Sequence, residues 1–194
     1  MSLASATSKT PSMVSPLTDT PSLTGSAKLS FDAIYAAEFD YVYRVVSRLV
    51  GSSEAEDLVQ EVFVVVHRRL PEFRGEARIT TWLFQIAYRV AGAHVRRERF
   101  RRRLSLLFGL ELKSREAAQH PSGPSADGEL VNAALGRLSF EKRSALVLHE
   151  VEGWTCEEIA ESIGIPVGTV HTRLHHARRD FARHCASLNR GHAQ

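Results

Sequence analysis

TCEEIAESIGIPVGTVHTRLHHARR, Thr155 to Arg179, reads as two short helices joined by a tight turn. Thr155 and Glu158 have the spacing of a capping box, so a helix starts there. Ile159, Ala160 and Ile163 give that helix an apolar stripe. Gly164 stands where a helix ends in a left-handed residue, and Pro166 suits the first turn of the next helix. Val170, Leu174 and Ala177 then form the inward face of the second helix. Its outward face carries Thr169, His171, Thr172, Arg173, His175, His176, Arg178 and Arg179. One apolar face and one basic, hydrogen-bonding face suit a recognition helix in a major groove. Cap, glycine, proline, apolar spacing and basic exit together predict a helix-turn-helix.

Working outward, the 194 residues are 43% apolar, enough to build one medium core or two small ones. Two cysteines, Cys156 and Cys185, supply no disulfide framework and fit a reducing compartment. No run is apolar enough to span a bilayer, and the N-terminus lacks the apolar centre of a secretory signal. A cytoplasmic protein without stable membrane association is therefore expected.

The net charge of +3 hides a strong asymmetry. Residues 31–95 hold seven Lys/Arg against nine Asp/Glu, and residues 96–115 hold eight against two. Residues 129–170 hold three against seven, and 171–190 five against one. Positive charge is thus concentrated in two blocks, each closing a helical stretch. That pattern suits two separate contacts with a polyanion.

Residues 1–27 are rich in Ser, Thr and Pro and are expected to be disordered. A first helix begins near Ser30, with Phe31, Ile34, Tyr35, Phe39, Val42, Val45, Val46 and Leu49 at helical spacing, and ends at Gly51. Ser53 and Glu56 have capping-box spacing and open a second helix, whose core face is Leu58, Val62, Phe63, Val65, Val66 and Leu70. Asp57, Gln60 and Glu61 lie off that face; by composition alone they are a solvated helix side. Pro71 stops the helix. A loop centred on Phe73, Arg74 and Gly75 follows, and Thr80 or Thr81 caps a third helix with Trp82, Leu83, Ile86, Ala87 and Val90 inward.

That helix runs into RRERFRRR, residues 96–103, six arginines around one Glu and one Phe. The number exceeds what a helix end needs for capping, and arginine pairs bidentately with phosphate. Phe100 and Tyr88 could stack on bases. Residues 104–128 then change character. LSLLFGLEL either docks on a partner or extends the preceding helix, and the Pro/Gly-rich remainder is a flexible connector. Helical pattern returns at Glu129, a further helix starts at Ser139, Gly153 breaks it, and the tail from 187 to 194 is expected to fray. The expected fold is all-α: two small helical domains, 28–103 and 129–186, joined by a flexible linker over 104–128 and able to fold separately.

SEAEDLVQEVFVVVHRRLPEFRGEARITTWLFQIA resembles region 2 of the extracytoplasmic-function sigma factors, the minimal class of bacterial transcription initiation factors. LSFEKRSALVLHEVEGWTCEEIAESIGIPVGTVHTRLHHAR resembles their region 4. The paired motifs in this order cover most of residues 31–183. The resemblance implies a factor that binds core RNA polymerase, recognises −35 and −10 promoter elements and opens the duplex. It makes Asp57, Gln60 and Glu61 contacts to the clamp helices of the largest polymerase subunit, with the flap as a further contact. It assigns melted −10 DNA to Phe73, Arg74, Tyr88, Arg89, Arg96 and Arg97. It assigns the −35 duplex to Thr169, His171, Thr172, Arg173, His175 and His176, and it implies an anti-sigma partner. Two departures stand out. Arg89 occupies a position where the family often has Asn, and His171 and His176 replace the usual Arg or Lys. Neutral His donates fewer hydrogen bonds than Arg.

Other classes fit less well. A lone helix-turn-helix repressor would need no acidic first unit of this size, and a two-domain helix-turn-helix regulator that never touches polymerase is the alternative that co-purification with core polymerase discriminates. A metal sensor is suggested by His171 and His175 at i, i+4, with Cys156, His184 and Cys185 as further ligands, but the pair sits on the DNA face. No Gly-rich phosphate loop or nucleophile motif points to an enzyme, so no cofactor or catalytic residue is expected.

Overall fold

The computed structural model describes residues 30–108 and 126–192. The expected disordered 1–27 segment and residues 109–125 of the expected 104–128 linker lie outside those residues; the linker's two ends, 104–108 and 126–128, are helical instead. Every regular element described is helical.

Helix α1, Phe31–Val50, is capped by the Ser30 hydroxyl, which accepts from the Ala33 N–H at 3.2 Å. It ends at Gly51, whose N–H donates to Ser47 O at 2.8 Å. Gly51 sits at φ 107°, a conformation side chains rarely adopt, so one residue turns the chain into α2, Ser52–Arg69. This turn overrides the expected Ser53–Glu56 box: Gly51 takes the cap position, Ser53 is already helical, and no side chain caps α2. A single 3₁₀ turn, Leu70–Glu72, carries Pro71 and closes α2.

Helix α3, Ile79–Phe108, is 30 residues long. Its first bond runs from Trp82 N–H to Arg78 O, so Thr80 and Thr81 lie inside the first turn rather than at the cap. It continues through Leu104–Phe108, so that apolar stretch extends the helix up to Phe108, with Leu106, Leu107 and Phe108 exposed. Nothing between Ala93 and Phe108 is Gly or Pro, so no breaker interrupts it. The inner faces of α1, α2 and α3 meet at Val42, Val45, Val46, Leu49, Val59, Val62, Val66, Leu83 and Phe84, all fully enclosed. Each such side chain contributes about 1.5–3 kcal/mol by leaving water.

The second half begins with α4, Ala126–Gly136, and α5, Phe140–Leu146, capped by Ser139. Helix α5 runs on as a π-helical turn, Val147–Val151, before Gly153 reverses the chain at φ 72°. Helix α6, Cys156–Ile163, has the full reciprocal box: Glu158 N–H to Thr155 Oγ1 at 3.2 Å and Thr155 N–H to Glu158 Oε2 at 2.8 Å. Gly164, left-handed at φ 71°, ends it. Pro166 immediately precedes α7, Val167–His192, and its carbonyl accepts from Thr169 and Val170. Helix α7 continues past the point where fraying is expected; its first glycine after Gly168 is Gly191.

The two halves do not stand apart. Phe140, Ala145, Leu148, Ile159, Val170 and Leu174 belong to the same apolar cluster as the inner faces of α1–α3. A smaller cluster of Leu135, Leu138, Leu146, Val147 and Ala177 closes the far side of the second half. Apolar side chains on both halves are thus buried against each other.

Candidate nucleic-acid interface

On α2, Asp57, Gln60 and Glu61 are exposed, while Leu58, Val59 and Val62 between and beside them are buried. The 3.6-residue period separates the two sets onto opposite sides of one helix. Two contacts tie this face to α3. His94 Nε2 lies 2.6 Å from Glu54 Oε2, and Arg97 Nη2 donates to Glu61 Oε1 at 3.4 Å. The second pair is 61% and 44% exposed at its side chains, so it holds neither group firmly.

The loop before α3 presents Phe73 and Arg74. Phe73 is half-buried, its ring 5.0 Å from that of Trp82, and its N–H donates to Leu70 O. Arg74 is exposed, next to Gly75 at φ 74°. Further along α3, Arg89, Arg96 and Arg97 are exposed. Tyr88 is half-buried, with its ring 6.0 Å from Phe84 and 5.2 Å from Phe140 of the second half. Burial raises its phenol above the ordinary value, against the opposing pull of Arg173 and Arg96.

On α7, Val170 and Leu174 are buried as expected, which orients the rest of the helix. His171, Thr172 and His175 are exposed; Thr169 and His176 are half-buried. The Thr172 hydroxyl donates to Gly168 O at 2.9 Å. His171 Nδ1 sits 3.6 Å from Cys156 Sγ, which joins the recognition helix to the start of α6. Among the described residues no group of three or more His, Cys, Asp or Glu side chains is arranged to hold a metal. Arg173 departs from its neighbours: it is half-buried against the first half, beside Tyr88 and within the field of Glu141.

Arg173 thus lies in a seam between the halves that the sequence does not announce. Arg143 Nη1 donates to Leu49 O at 2.7 Å, and its Nη2 to Gly136 O and Leu138 O at 2.8 and 3.2 Å. Arg48 pairs with Glu152 at 3.2 Å. Phe84 meets Trp154 edge-on at 5.2 Å. Burial raises the Glu152 carboxyl above its usual range, although Arg48 and Arg44 oppose this. Arg48, Arg143 and Glu152 carry no local motif; only the three-dimensional packing brings them together.

A family model of sigma-70 region 2 matches residues 34–101, and one of sigma-70 region 4 matches residues 128–181. The ECF RNA polymerase sigma-E factor of Escherichia coli (strain K12) is 33% identical over 146 residues, 71% of this chain and 76% of that protein. The sigma-E factor of Haemophilus influenzae is 28% identical over 160 residues, 78% of this chain and 85% of that one. In fold, the chain resembles the sigma factor RpoE of Bartonella quintana, solved with the anti-sigma factor NepR. The TM-score is 0.64 at 22% identity, covering 79% of this chain and 95% of that one. The chain belongs to the sigma-70 family, within its extracytoplasmic-function (ECF) group. It is a polymerase-associated factor for promoter recognition.

Proposed function

We propose that the two halves divide the work as region 2 and region 4 of a sigma factor, over residues 28–103 and 129–186. The α2 face of Asp57, Gln60 and Glu61 binds the clamp helices of the largest polymerase subunit, and the second half meets the flap. Phe73, Arg74, Tyr88, Arg89, Arg96 and Arg97 hold the melted −10 strand: aromatics offer stacking surfaces and guanidinium groups pair with phosphates. Thr169, His171, Thr172, Arg173, His175 and His176 read or grip the −35 duplex from the major groove. The protein acts by binding and assembly in the cytoplasm, without chemistry of its own, and an anti-sigma factor restrains it.

One observation supports this division above the rest. Val170 and Leu174 are buried, so a helix-turn-helix presents a polar recognition face on the same chain as the exposed acidic face of α2. A regulator independent of polymerase has no use for the second surface. The test is a pull-down of core polymerase by the parent chain and by the double variant Asp57→Lys/Glu61→Lys. Loss of binding with an unchanged circular-dichroism spectrum supports the assignment; equal capture by both removes it.

A further inference from the structure

The recognition helix keeps its arginines on protein partners. From Val167 to Arg179 it holds three arginines and no lysine. Arg173 is half-buried, beside Tyr88 and within the field of Glu141. Arg178 pairs with Glu150, its Nη2 and Nε lying 2.6 and 2.8 Å from Oε1. Arg179 Nε lies 3.5 Å from Asp180 Oδ1. These arginines reach DNA only by giving up those neighbours. His171 and His175 differ: both are exposed, and their i, i+4 spacing sets them one above the other on one face. The His176 ring, half-buried, meets that of His175 at 5.5 Å. We propose that His171 and His175 present the helix's positive charge to the −35 duplex as imidazolium, so that grip on the promoter tightens as pH falls. This rests on the assignment of α7 to the −35 element.

Local geometry aims the first ring. His171 Nδ1 lies 3.6 Å from Cys156 Sγ at the start of α6, which turns Nε2 away from that helix. A neutral imidazole has one N–H to divide between sulfur and DNA; the protonated ring donates from both nitrogens. Neighbouring elements bring charge of both signs to this stretch. Besides Cys156, α6 carries Glu157, Glu158 and Glu161 on its exposed side, and Glu158 is held in its own capping box. Helix α5 brings Glu141 and Lys142, the latter bonded to Asp180, and the π-helical turn brings Glu150. Helix α3 brings Tyr88, Arg96 and Arg99. The docked duplex adds a row of phosphates to this setting, and an anion beside a ring favours its charged form. Binding then takes up protons, so by linkage affinity rises with acidity. Histidine ordinarily changes charge between about pH 5 and 8, which places the response near neutrality.

The test uses holoenzyme assembled from core polymerase and the full chain. It is titrated onto a labelled promoter duplex on which it initiates, and onto the same duplex with its −35 element scrambled. Titrations run at about pH 7.5 and about pH 6, over a range of salt. The parent is compared with His171→Gln/His175→Gln and with His171→Arg/His175→Arg, so that the polymerase's own response to pH is common to every series. Between the two pH values the parent is expected to gain about tenfold more affinity for the intact promoter than the glutamine variant gains. Its salt slope at the lower pH should be steeper by about one for each ring that meets a phosphate. The arginine variant, charged throughout, should bind at the higher pH as tightly as the parent does at the lower, and should respond to pH no more than the glutamine variant does. A parent whose pH response matches that of the glutamine variant, while scrambling the −35 element still weakens binding, overturns the proposal and leaves the assignment of α7 standing. Scrambling that costs the parent nothing at either pH overturns the assignment itself, and the proposal with it.

Discussion

The Arg143 guanidinium of α5 donates to the carbonyl of Leu49, 94 positions earlier in the chain, at 2.7 Å. Leu49 lies in the last turn of α1, where carbonyls lack intrahelical partners and the helix dipole favours a cation. The same side chain also satisfies Gly136 O and Leu138 O, so it joins the α4–α5 turn to the end of α1. Arg143→Gln removes the charge and most of these bonds and is expected to cost about 1.5–3 kcal/mol in urea unfolding. Arg143→Lys should recover only part of this, because one ammonium cannot reproduce a planar fork. Full rescue by lysine would show that charge alone matters there.

The capping box of α6 gives a second stability prediction. Thr155→Ala removes the acceptor for the Glu158 N–H and is expected to cost about 1 kcal/mol, read as a lower denaturation midpoint. Glu158→Gln should cost less, since an amide oxygen can still accept from the Thr155 N–H. Indistinguishable midpoints for Thr155→Ala and the parent would mean that packing alone holds α6.

Acid should loosen the second half through Asp180. Its carboxylate accepts from Lys142 Nζ at 2.7 Å and pairs with Arg183 and Arg179; chiefly the Lys142 bond holds its pKa down to about 2. A carboxyl depressed in the folded state stabilises above its unfolded pKa of about 3.9 and loses that contribution as pH falls toward 2. Asp180→Asn should therefore lower stability at neutral pH and flatten the stability curve between about pH 4 and pH 2. An unchanged acid limb in this variant would contradict the assignment.

Arg173→Ala, assayed in the holoenzyme, distinguishes two kinds of DNA contact. A base-edge role predicts a loss of about 1–3 kcal/mol on the preferred site and weaker discrimination against mismatches. A phosphate role predicts uniform weakening and a salt slope lower by about one. Binding equal to the parent would put a different face of α7 in the groove.

How far the sequence carried depended on how local each determinant is. The helix-turn-helix was legible because its cap, its left-handed glycine and its apolar spacing lie within 25 consecutive residues. The exposed acidic face of α2 followed from periodicity alone. Ser53–Glu56 misled because Gly51, two residues earlier, takes the cap position through a conformation that a motif does not encode. Arg173 was placed outward because a helical wheel knows only its own helix. Its position is set by Tyr88, Phe140 and Glu141 on other elements. The Arg48–Glu152 pair spans 104 positions, and no local pattern marks either partner.

Run-off transcription with core polymerase on a library of genomic fragments tests the central claim most directly. The account predicts discrete start sites that require the chain, share two spaced upstream elements, and disappear with Asp57→Lys/Glu61→Lys while that variant remains folded. Start sites that persist undiminished with the charge-reversed variant, or a chain that leaves core polymerase as unselective as it was alone, would contradict it.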